Sequence, residues 1–219
     1  MKNTEKIKFL INYFQETNPD AATELYYKNP YELIVAVILS AQCTDVRVNK
    51  ITPDFFKEFP TIYDLAVASI EAIFEKIKTC SYPNNKATHL LRMAKMVVTD
   101  FSGKIPDTRK SLEQLPGVGR KTANVMLSVA FGKPTMPVDT HVFRVSARLG
   151  LTTNAKTPLD TERKLVKLFP RMLLPKAHHW LILHGRYVCT AKKPACDKCG
   201  LKPVCRYYSD KLNQHPLTD

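Results

Sequence analysis

Apolar and polar residues alternate along this chain with the three- and four-residue spacing of amphipathic helices. Near the N-terminus, Ile7, Leu10, Ile11 and Phe14 fall on one helical face. The most apolar segment, LIVAVIL, would suit a buried strand by content alone. It follows NPYE, however, in which Asn29 can cap a helix and the proline takes the first helical position. The segment is therefore predicted to be a buried helix.

Helix starts and stops are marked along the rest of the chain. Thr61 with Asp64, and then Ser69, are placed to cap two successive helices. Asp139 and Gly150 bracket another helix. Further helices are predicted at about 84–102, 108–115 and 120–131, and within 157–170 and 175–189. No segment is predicted to be a strand, so the fold class is all-α.

The apolar pattern predicts neither a membrane span nor a cleaved leader. The longest apolar run is far short of the roughly 20 residues that a span requires. The apolar part of the N-terminal segment is interrupted by Lys8 and Asn12, and no small-residue cleavage site follows it. We expect a soluble, cytoplasmic protein that binds no membrane.

The chain is strongly basic, because 33 Lys and Arg face only 20 Asp and Glu and give a formal charge of +13. Such a bias favours a polyanionic partner, and nucleic acid ranks ahead of an anionic membrane surface. Charge alone locates no site, so this interpretation depends on the motifs.

The segment LPGVGRKTAN has the sequence of a tight turn that leads into a helix. Gly117 and Gly119 can adopt positive φ angles and let a large ligand approach the backbone. The amides and the dipole of the helix that follows suit a DNA backbone phosphate, a contact that reads no base. Arg120 would strengthen this contact. An ordinary hairpin, in which the glycines only make the turn, is the alternative.

Lys121 is unusual because a cation at a helix N-terminus has the wrong sign for the helix dipole. The dipole and the adjacent Arg120 should lower the pKa of the amine. A neutral amine is a nucleophile that forms Schiff bases, whereas a charged one would contact phosphate, and the local sequence leaves both open. Asp139, in PVDTH, is either a simple N-cap or a fixed carboxylate that stabilises positive charge on a sugar or assists deprotonation of the amine.

Four of the six cysteines are crowded into CTAKKPACDKCGLKPVC, with the spacing C-x6-C-x2-C-x5-C. Such a cluster binds a metal or is reactive, and four thiolates suit structural zinc or an iron-sulfur cluster alike. Lysines in the same loop, Lys192 and Lys193 among them, suggest that a metal orders a basic, DNA-facing loop. The other two cysteines, Cys43 and Cys80, are expected to be small buried hydrophobic residues.

Several motifs together resemble the endonuclease III family, DNA glycosylases of the helix-hairpin-helix superfamily. LSAQCTD, LPGVGRKTAN, PVDTHVFRV, HHWLILHGRYVC and the four-cysteine loop occur in the family's order along nearly the whole chain. The resemblance implies two helical domains: a six-helix domain with the hairpin, assigned to 22–133, and a domain built from both termini, 1–21 plus 134–219. The second domain would carry a 4Fe-4S cluster held by Cys189, Cys196, Cys199 and Cys205.

The same resemblance implies the chemistry. Lys121 looks like the Schiff-base nucleophile and Asp139 like its partnering carboxylate, in an enzyme that removes oxidised pyrimidines from duplex DNA. Strand cleavage 3′ to the abasic site would follow by β-elimination. Gln42, in LSAQCTD, matches a glutamine that fills the gap left by the flipped base; alternatively it is a polar residue that ends a buried helix.

The chain departs from the family pattern at CSYPNNKA. Family members commonly have a small residue, Leu and Tyr before Asn, where this chain has Ser81, Tyr82 and Pro83. Tyr82 would serve as the intercalating wedge by stacking, or is only a half-buried loop aromatic. Two other functions compete: a mismatch-specific glycosylase without lyase activity, and a noncatalytic DNA-binding iron-sulfur protein. We expect a monomer that binds duplex DNA with oxidised pyrimidines or abasic sites.

Overall fold

The computed structural model describes residues 3–214, which form helices joined by turns and contain no strand. The all-α prediction is confirmed. The helices are α1 Asn3–Thr17, α2 Pro30–Ser40, α3 Asp45–Glu58, α4 Ile62–Val67, α5 Ile70–Ile77, α6 Pro83–Asp100, α7 Arg109–Leu112, α8 Arg120–Val129, α9 Thr140–Leu149, α10 Pro158–Leu168, α11 Leu174–Tyr187 and α12 Arg206–Gln214. Short 3₁₀ turns at Arg171–Leu173, Cys196–Lys198 and Lys202–Val204 complete the chain.

The predicted caps are present. The Asn29 side chain accepts from the Glu32 amide at the start of α2, as a cap should. Thr61 and Asp64 form a reciprocal capping box on α4, in which each side chain bonds the other residue's backbone amide. Ser69 caps α5 by accepting from the Ala72 amide.

Two helices and two helix ends differ from what the apolar spacing predicted. The apolar spacing did not predict α3, whose interior contains Pro53, or the polar α12. The helix expected at about 108–115 is only the four-residue α7, because the chain turns after Leu112. The helix expected to reach about Phe131 ends at Val129.

The chain divides into two compact units. One is Glu24–Lys133, and it contains α2–α8, seven helical segments where the resemblance implied six. The other combines the residues up to Thr23 with those from Pro134 onward. The sequence analysis put the first boundary at residue 22, and the ends of its second domain, 1–2 and 215–219, lie outside the described residues.

Each unit has its own apolar core. In Glu24–Lys133, the core contains the predicted buried helix α2, and Leu33, Ile34 and Leu39 are fully inaccessible. In the other unit, α1 is held on α11 by stacking of Phe14 on Trp180, whose ring centroids are 5.7 Å apart. The indole of Trp180 donates to the Asn18 carbonyl at 2.9 Å. These contacts explain how the N-terminal helix joins a unit built mainly from the second half of the chain.

No described helix is both long enough and apolar enough to cross a membrane.

Candidate functional site

The turn between α7 and α8 has the predicted hairpin form. Leu115 and Val118 are buried beneath it, and the Val118 amide donates to the Leu115 carbonyl at 3.0 Å. Gly119 is the N-cap of α8 and has no side chain with which to cap the first-turn amides. Arg120 and Lys121 follow and are exposed. The turn therefore presents a helix N-terminus and two cations at the protein surface.

The two glycines of this turn differ in backbone conformation and in the space available for a side chain. Gly117 has a φ of 82°, and a Cβ at this position would lie 3.1 Å from the Cβ of His89. Gly119 has φ −92° and ψ 179°, and a Cβ there would meet no described atom within 4 Å beyond its chain neighbours. A positive φ therefore occurs at Gly117, while at Gly119 the expectation of a positive φ was wrong. The missing side chain at Gly119 leaves open space above the backbone.

Two loops of the same unit carry strained residues. Gln42 follows α2 with a φ of 54°, and Tyr82 precedes α6 with φ 54° and ψ 50°. Both side chains are exposed, and that of Tyr82 is 62% accessible. A non-glycine residue in this region costs about 1–3 kcal/mol, and such strain clusters at ligand sites. The Ser81 hydroxyl donates to the Gln42 carbonyl at 2.5 Å, so the two loops lie side by side.

A groove runs from these loops to the hairpin. Three of the predicted DNA contacts line it together, namely Gln42, Tyr82 and Gly117. The other lining residues are Ile38, Ala41, Asn85, Lys86 and His89. The groove gives one continuous surface within Glu24–Lys133 on which the loops of Gln42 and Tyr82 meet the hairpin turn.

Sequence analysis missed the residues that support this groove. Lys86 is buried, and its Nζ donates to the carbonyls of Leu39 and Ala41 at 2.7 and 2.8 Å. Burial lowers the pKa of Lys86. Its ammonium satisfies carbonyls at the C-terminal end of α2, where a cation is favoured, and so fixes the backbone next to Gln42. Nothing local in the sequence distinguishes this lysine from a surface one.

Asp139 lies in the other unit and is the N-cap of α9. Its Oδ1 accepts from the Val142 amide at 2.8 Å, so the capping prediction is confirmed. The preceding backbone is also anchored, because the Nδ1–H of the buried His178 donates to the Pro137 carbonyl at 2.9 Å. Asp139 is half-buried. Its side chain is held by the cap bond, and the backbone two residues before it is held by His178. The arrangement presents a carboxylate in a fixed position.

The four clustered cysteines are free thiols that line one cavity: Cys189, Cys196, Cys199 and Cys205. Burial raises the pKa of Cys199 and of Cys205, which disfavours their thiolates. A metal removes this cost because it takes the thiolate as its ligand. Among the described residues, no three His, Cys, Asp or Glu side chains lie close enough to hold a single ion. The set of four thiols therefore fits a soft metal group, either zinc or an iron-sulfur cluster.

Arg148, on α9, holds the cysteine loop. Its guanidinium donates to Cys189 Sγ at 3.3 Å and to the carbonyls of Thr190 and Ala191 at 2.7 and 2.8 Å. It also lies 4.7 Å from the centre of the Tyr207 ring. One side chain thus ties three points of the loop to α9. Lys192 and Lys193, in the same loop, are exposed as expected for a basic contact surface.

Comparison with known proteins shows which family and which solved structures the chain as a whole is similar to. Residues 35–171 match the model of the HhH-GPD superfamily base excision DNA repair proteins. Endonuclease III of Rickettsia felis is 43% identical over 203 residues, covering 93% of this chain and 95% of its own. A solved structure of a trapped endonuclease III–DNA covalent intermediate is 40% identical with a TM-score of 0.91, covering 97% of this chain and all of its own. A solved structure of a thermostable thymine-DNA glycosylase is 26% identical with a TM-score of 0.84, and the match covers 94% of this chain and 98% of its own.

Proposed function

This chain belongs to the endonuclease III family, within the HhH-GPD superfamily of base excision DNA repair proteins, and is a bifunctional DNA glycosylase and AP lyase; we propose that Lys121 is its nucleophile and oxidised pyrimidines its substrates. The observation that carries the assignment of Lys121 is its place on the hairpin. It is exposed in the first turn of α8, directly after an uncapped glycine turn that suits a phosphate. A lysine there meets the sugar of a nucleotide whose phosphate the turn holds.

The reaction begins with extrusion of the damaged base, which costs less for a lesion that stacks poorly. Lys121 Nζ, as the neutral amine, attacks C1′ of the sugar, and the base leaves with the bonding electrons and takes up a proton. The adduct opens to an imine, which makes a 2′ proton acidic. Removal of that proton expels the 3′ phosphate and cuts the strand. Water then hydrolyses the imine and returns Lys121.

Asp139 supplies the negative charge that this sequence of steps needs. The sugar gains positive charge as the base leaves, and a fixed carboxylate stabilises it. Deprotonation of the attacking amine also needs a base, which is the second role that its sequence context suggests for Asp139. Its N-cap bond uses Oδ1 and restricts the side chain to one orientation, so little reorganisation accompanies the reaction.

Gln42 and Tyr82 are proposed to enter the duplex when the base leaves it. Their loops touch through Ser81, and both residues are exposed at strained backbone positions. The aromatic ring of Tyr82 stacks on a neighbouring base, and the Gln42 amide bonds the base left without a partner. Arg120, Gly117 and Gly119 hold backbone phosphate. Such an enzyme works where the DNA is, in the cytoplasm and at the nucleoid of a bacterium.

Borohydride trapping tests the nucleophile. Wild-type protein is incubated with a duplex that carries one thymine glycol, and borohydride then reduces any imine to a stable protein–DNA adduct. We expect the adduct with wild type, none with Lys121→Ala, and an undiminished amount with Lys110→Ala, which removes an exposed lysine from neighbouring α7. Base removal without any adduct from wild type would instead indicate a monofunctional glycosylase. Binding without base removal or cleavage would indicate a noncatalytic protein.

A 4Fe-4S cluster is proposed for the four-cysteine cavity. The support is a set of four free thiols around one cavity, in a loop that resembles the cluster loop of the family. When bound, the cluster would join four points of the loop through metal–sulfur bonds. Arg148 donates to Cys189 Sγ and would stabilise the negatively charged ligand set.

Iron analysis tests the cluster independently of catalysis. Purified protein should be yellow-brown and contain about four iron atoms per chain. We expect Arg148→Ala to lose iron faster in air, because the loop loses its anchor on α9, and Arg163→Ala, which removes an exposed arginine from α10, to retain it. Active, colourless protein with one zinc would contradict the proposal.

A further inference from the structure

Two cysteines outside the clustered set lie beside Gln42 and Tyr82, in the two loops proposed to enter the duplex. Cys43 follows Gln42 directly, and Cys80 precedes Tyr82 by two residues. Both are free thiols, and the Cys43 Sγ lies 3.7 Å from the Cys80 Sγ. Cys80 is 5% exposed, as a buried hydrophobic residue should be, whereas Cys43 is half-buried and accessible from solvent.

The backbone holds the two thiols in this position. The Cys43 amide donates to the Ser40 carbonyl at 3.0 Å, and the Cys80 amide to the Ile77 carbonyl at 2.8 Å. Each cysteine is therefore part of the turn that ends a helix, α2 or α5. Together with the Ser81–Gln42 bond, these contacts keep the loops adjacent without a covalent link.

We propose that Cys43 and Cys80 form a dithiol modification site, which a low-molecular-weight disulfide such as glutathione disulfide converts to an intramolecular disulfide. The Cys43 thiolate attacks one glutathione sulfur, forms a mixed disulfide and releases one glutathione thiolate. Cys80, losing its proton, then attacks the Cys43 sulfur and displaces the second glutathione. Two protein thiols and one glutathione disulfide give one protein disulfide and two glutathione thiols.

Accessibility sets the order of the two steps. Cys43 is the thiol that an external reagent reaches. Burial, together with the neighbouring Cys43, raises the pKa of Cys80 to about 11, so Cys80 remains a protonated thiol at neutral pH. Cys80 is consequently a poor nucleophile towards the external disulfide. Once Cys43 has reacted, however, Cys80 lies next to the mixed disulfide. Exchange within one molecule needs no second encounter.

The modification should alter the loops, a consequence that rests on the proposed function. A disulfide has an S–S distance of about 2.05 Å, so the sulfurs must approach each other from 3.7 Å. This movement draws together the loops that carry Gln42 and Tyr82 and prevents their separate adjustment to DNA. We expect removal of a damaged base to become several-fold slower and to recover when a thiol reductant opens the disulfide.

Peptide mapping decides whether the disulfide forms. Cluster-loaded protein is equilibrated with mixtures of oxidised and reduced glutathione, quenched with acid, alkylated and digested. We expect a peptide pair linked through Cys43 and Cys80 in wild type, with a mass two hydrogens lower than that of the separate peptides, and none in Cys43→Ala. Two alkylated thiols at a large excess of oxidised glutathione, or only a glutathione adduct on Cys43, would overturn the proposal.

Single-turnover kinetics tests the consequence on the same samples. Oxidised wild type should remove thymine glycol several-fold more slowly than reduced wild type, while Cys43→Ala should keep one rate under both conditions. Because Cys43→Ala receives the same treatment, any effect of glutathione on the clustered cysteines cancels in the comparison. Equal rates for linked and reduced wild type would overturn the proposed effect on the loops. If reduced wild type neither removes thymine glycol nor cuts an abasic duplex, the proposed function fails instead, and peptide mapping still decides the disulfide.

Discussion

Asp139 illustrates, at the scale of single residues, how one side chain can combine an observed structural role with a proposed chemical one. Its Oδ1 bond to the Val142 amide satisfies the start of α9, and this alone would justify an aspartate. Its proposed catalytic role depends on charge rather than on the cap. The two roles can be separated because asparagine caps a helix as well as aspartate does but carries no charge.

Asp139→Asn should leave the free energy of unfolding within about 0.5 kcal/mol of wild type, since the cap is kept. Its single-turnover rate of base removal should fall by about 100-fold or more, because a fixed charge that stabilises the transition state is lost. Asp139→Ala should lose the rate and, in addition, about 1 kcal/mol of stability. Denaturant titration and single-turnover kinetics give both quantities. Wild-type activity in Asp139→Asn would reduce this residue to a cap.

His179 is expected to contribute to the sensitivity of the protein to acid. Burial, assisted by Lys176 and Arg186, lowers its pKa from 6.5 to about 4. Below pH 6.5 the unfolded chain therefore binds a proton that the native protein does not bind until about pH 4. This contribution to the free energy of unfolding is fully present above pH 6.5 and is lost as the pH falls towards 4. At pH 5 the loss is about 2 kcal/mol.

His179→Gln should remove most of that loss. We expect the free energy of unfolding, measured by urea titration at pH 7.5 and pH 5, to differ between the two pH values by about 2 kcal/mol less than in wild type. His89→Gln, which replaces an exposed histidine of α6, is the control and should show the wild-type difference. The same pH dependence in wild type and His179→Gln would contradict the role of His179.

The hairpin is the element in which local sequence and function are most closely joined. Gly117 is required by the fold, since its φ is positive and His89 lies against it. Gly119 is not, because its backbone angles suit any residue and a Cβ meets no described atom nearby. We therefore predict that the absence of a side chain at Gly119 serves the approach of a phosphate rather than folding.

A matched pair of substitutions separates these two explanations. Gly117→Ala should destabilise the protein by about 1 kcal/mol or more, because alanine is strained at positive φ. Gly119→Ser should leave stability unchanged or slightly raised, since serine is a good N-cap, yet weaken binding to duplex DNA about tenfold by crowding the phosphate. Thermal unfolding and fluorescence anisotropy measure the two effects. Unchanged DNA affinity in Gly119→Ser would exclude a phosphate at this turn.

At the scale of the whole molecule, the formal charge of +13 favours association with the polyanionic DNA backbone. Each phosphate neutralised by a lysine or arginine releases bound counterions, so affinity falls steeply as salt rises. The exposed Lys192 and Lys193 add two charges to the loop that Arg148 ties to α9. A cation that contacts phosphate adds to the salt dependence of DNA affinity, whereas a cation elsewhere on the surface adds little.

Replacing both Lys192 and Lys193 by alanine should reduce the slope of log K against log salt concentration by about 1–2, if both contact phosphate. Lys167→Ala, which removes an exposed lysine of α10 outside the loop, should leave the slope unchanged. Binding isotherms on an undamaged duplex at several salt concentrations provide the slopes. An unchanged slope in the double variant would remove the loop from the DNA contact.

The sequence by itself determined the features that depend on neighbours a few residues away. Asn29, Thr61, Ser69 and Asp139 were identified as caps because a cap bonds an amide two or three residues along the chain. The spacing of the four cysteines, and the unusual place of a lysine at a helix N-terminus, were likewise readable without a structure. The helices α3 and α12 were missed because an internal proline and a polar composition obscure the apolar spacing.

Only the tertiary structure decided which distant groups meet. It buried Lys86 against carbonyls that lie more than 40 residues earlier, and it brought Cys43 within 3.7 Å of Cys80. It also set Arg148 on the cysteine loop and separated the roles of Gly117 and Gly119. These contacts depend on how helices pack, and packing joins residues whose separation along the chain carries no local signal. Capped helix starts are therefore determined by neighbouring residues, whereas the surroundings of each functional group are determined by the whole fold.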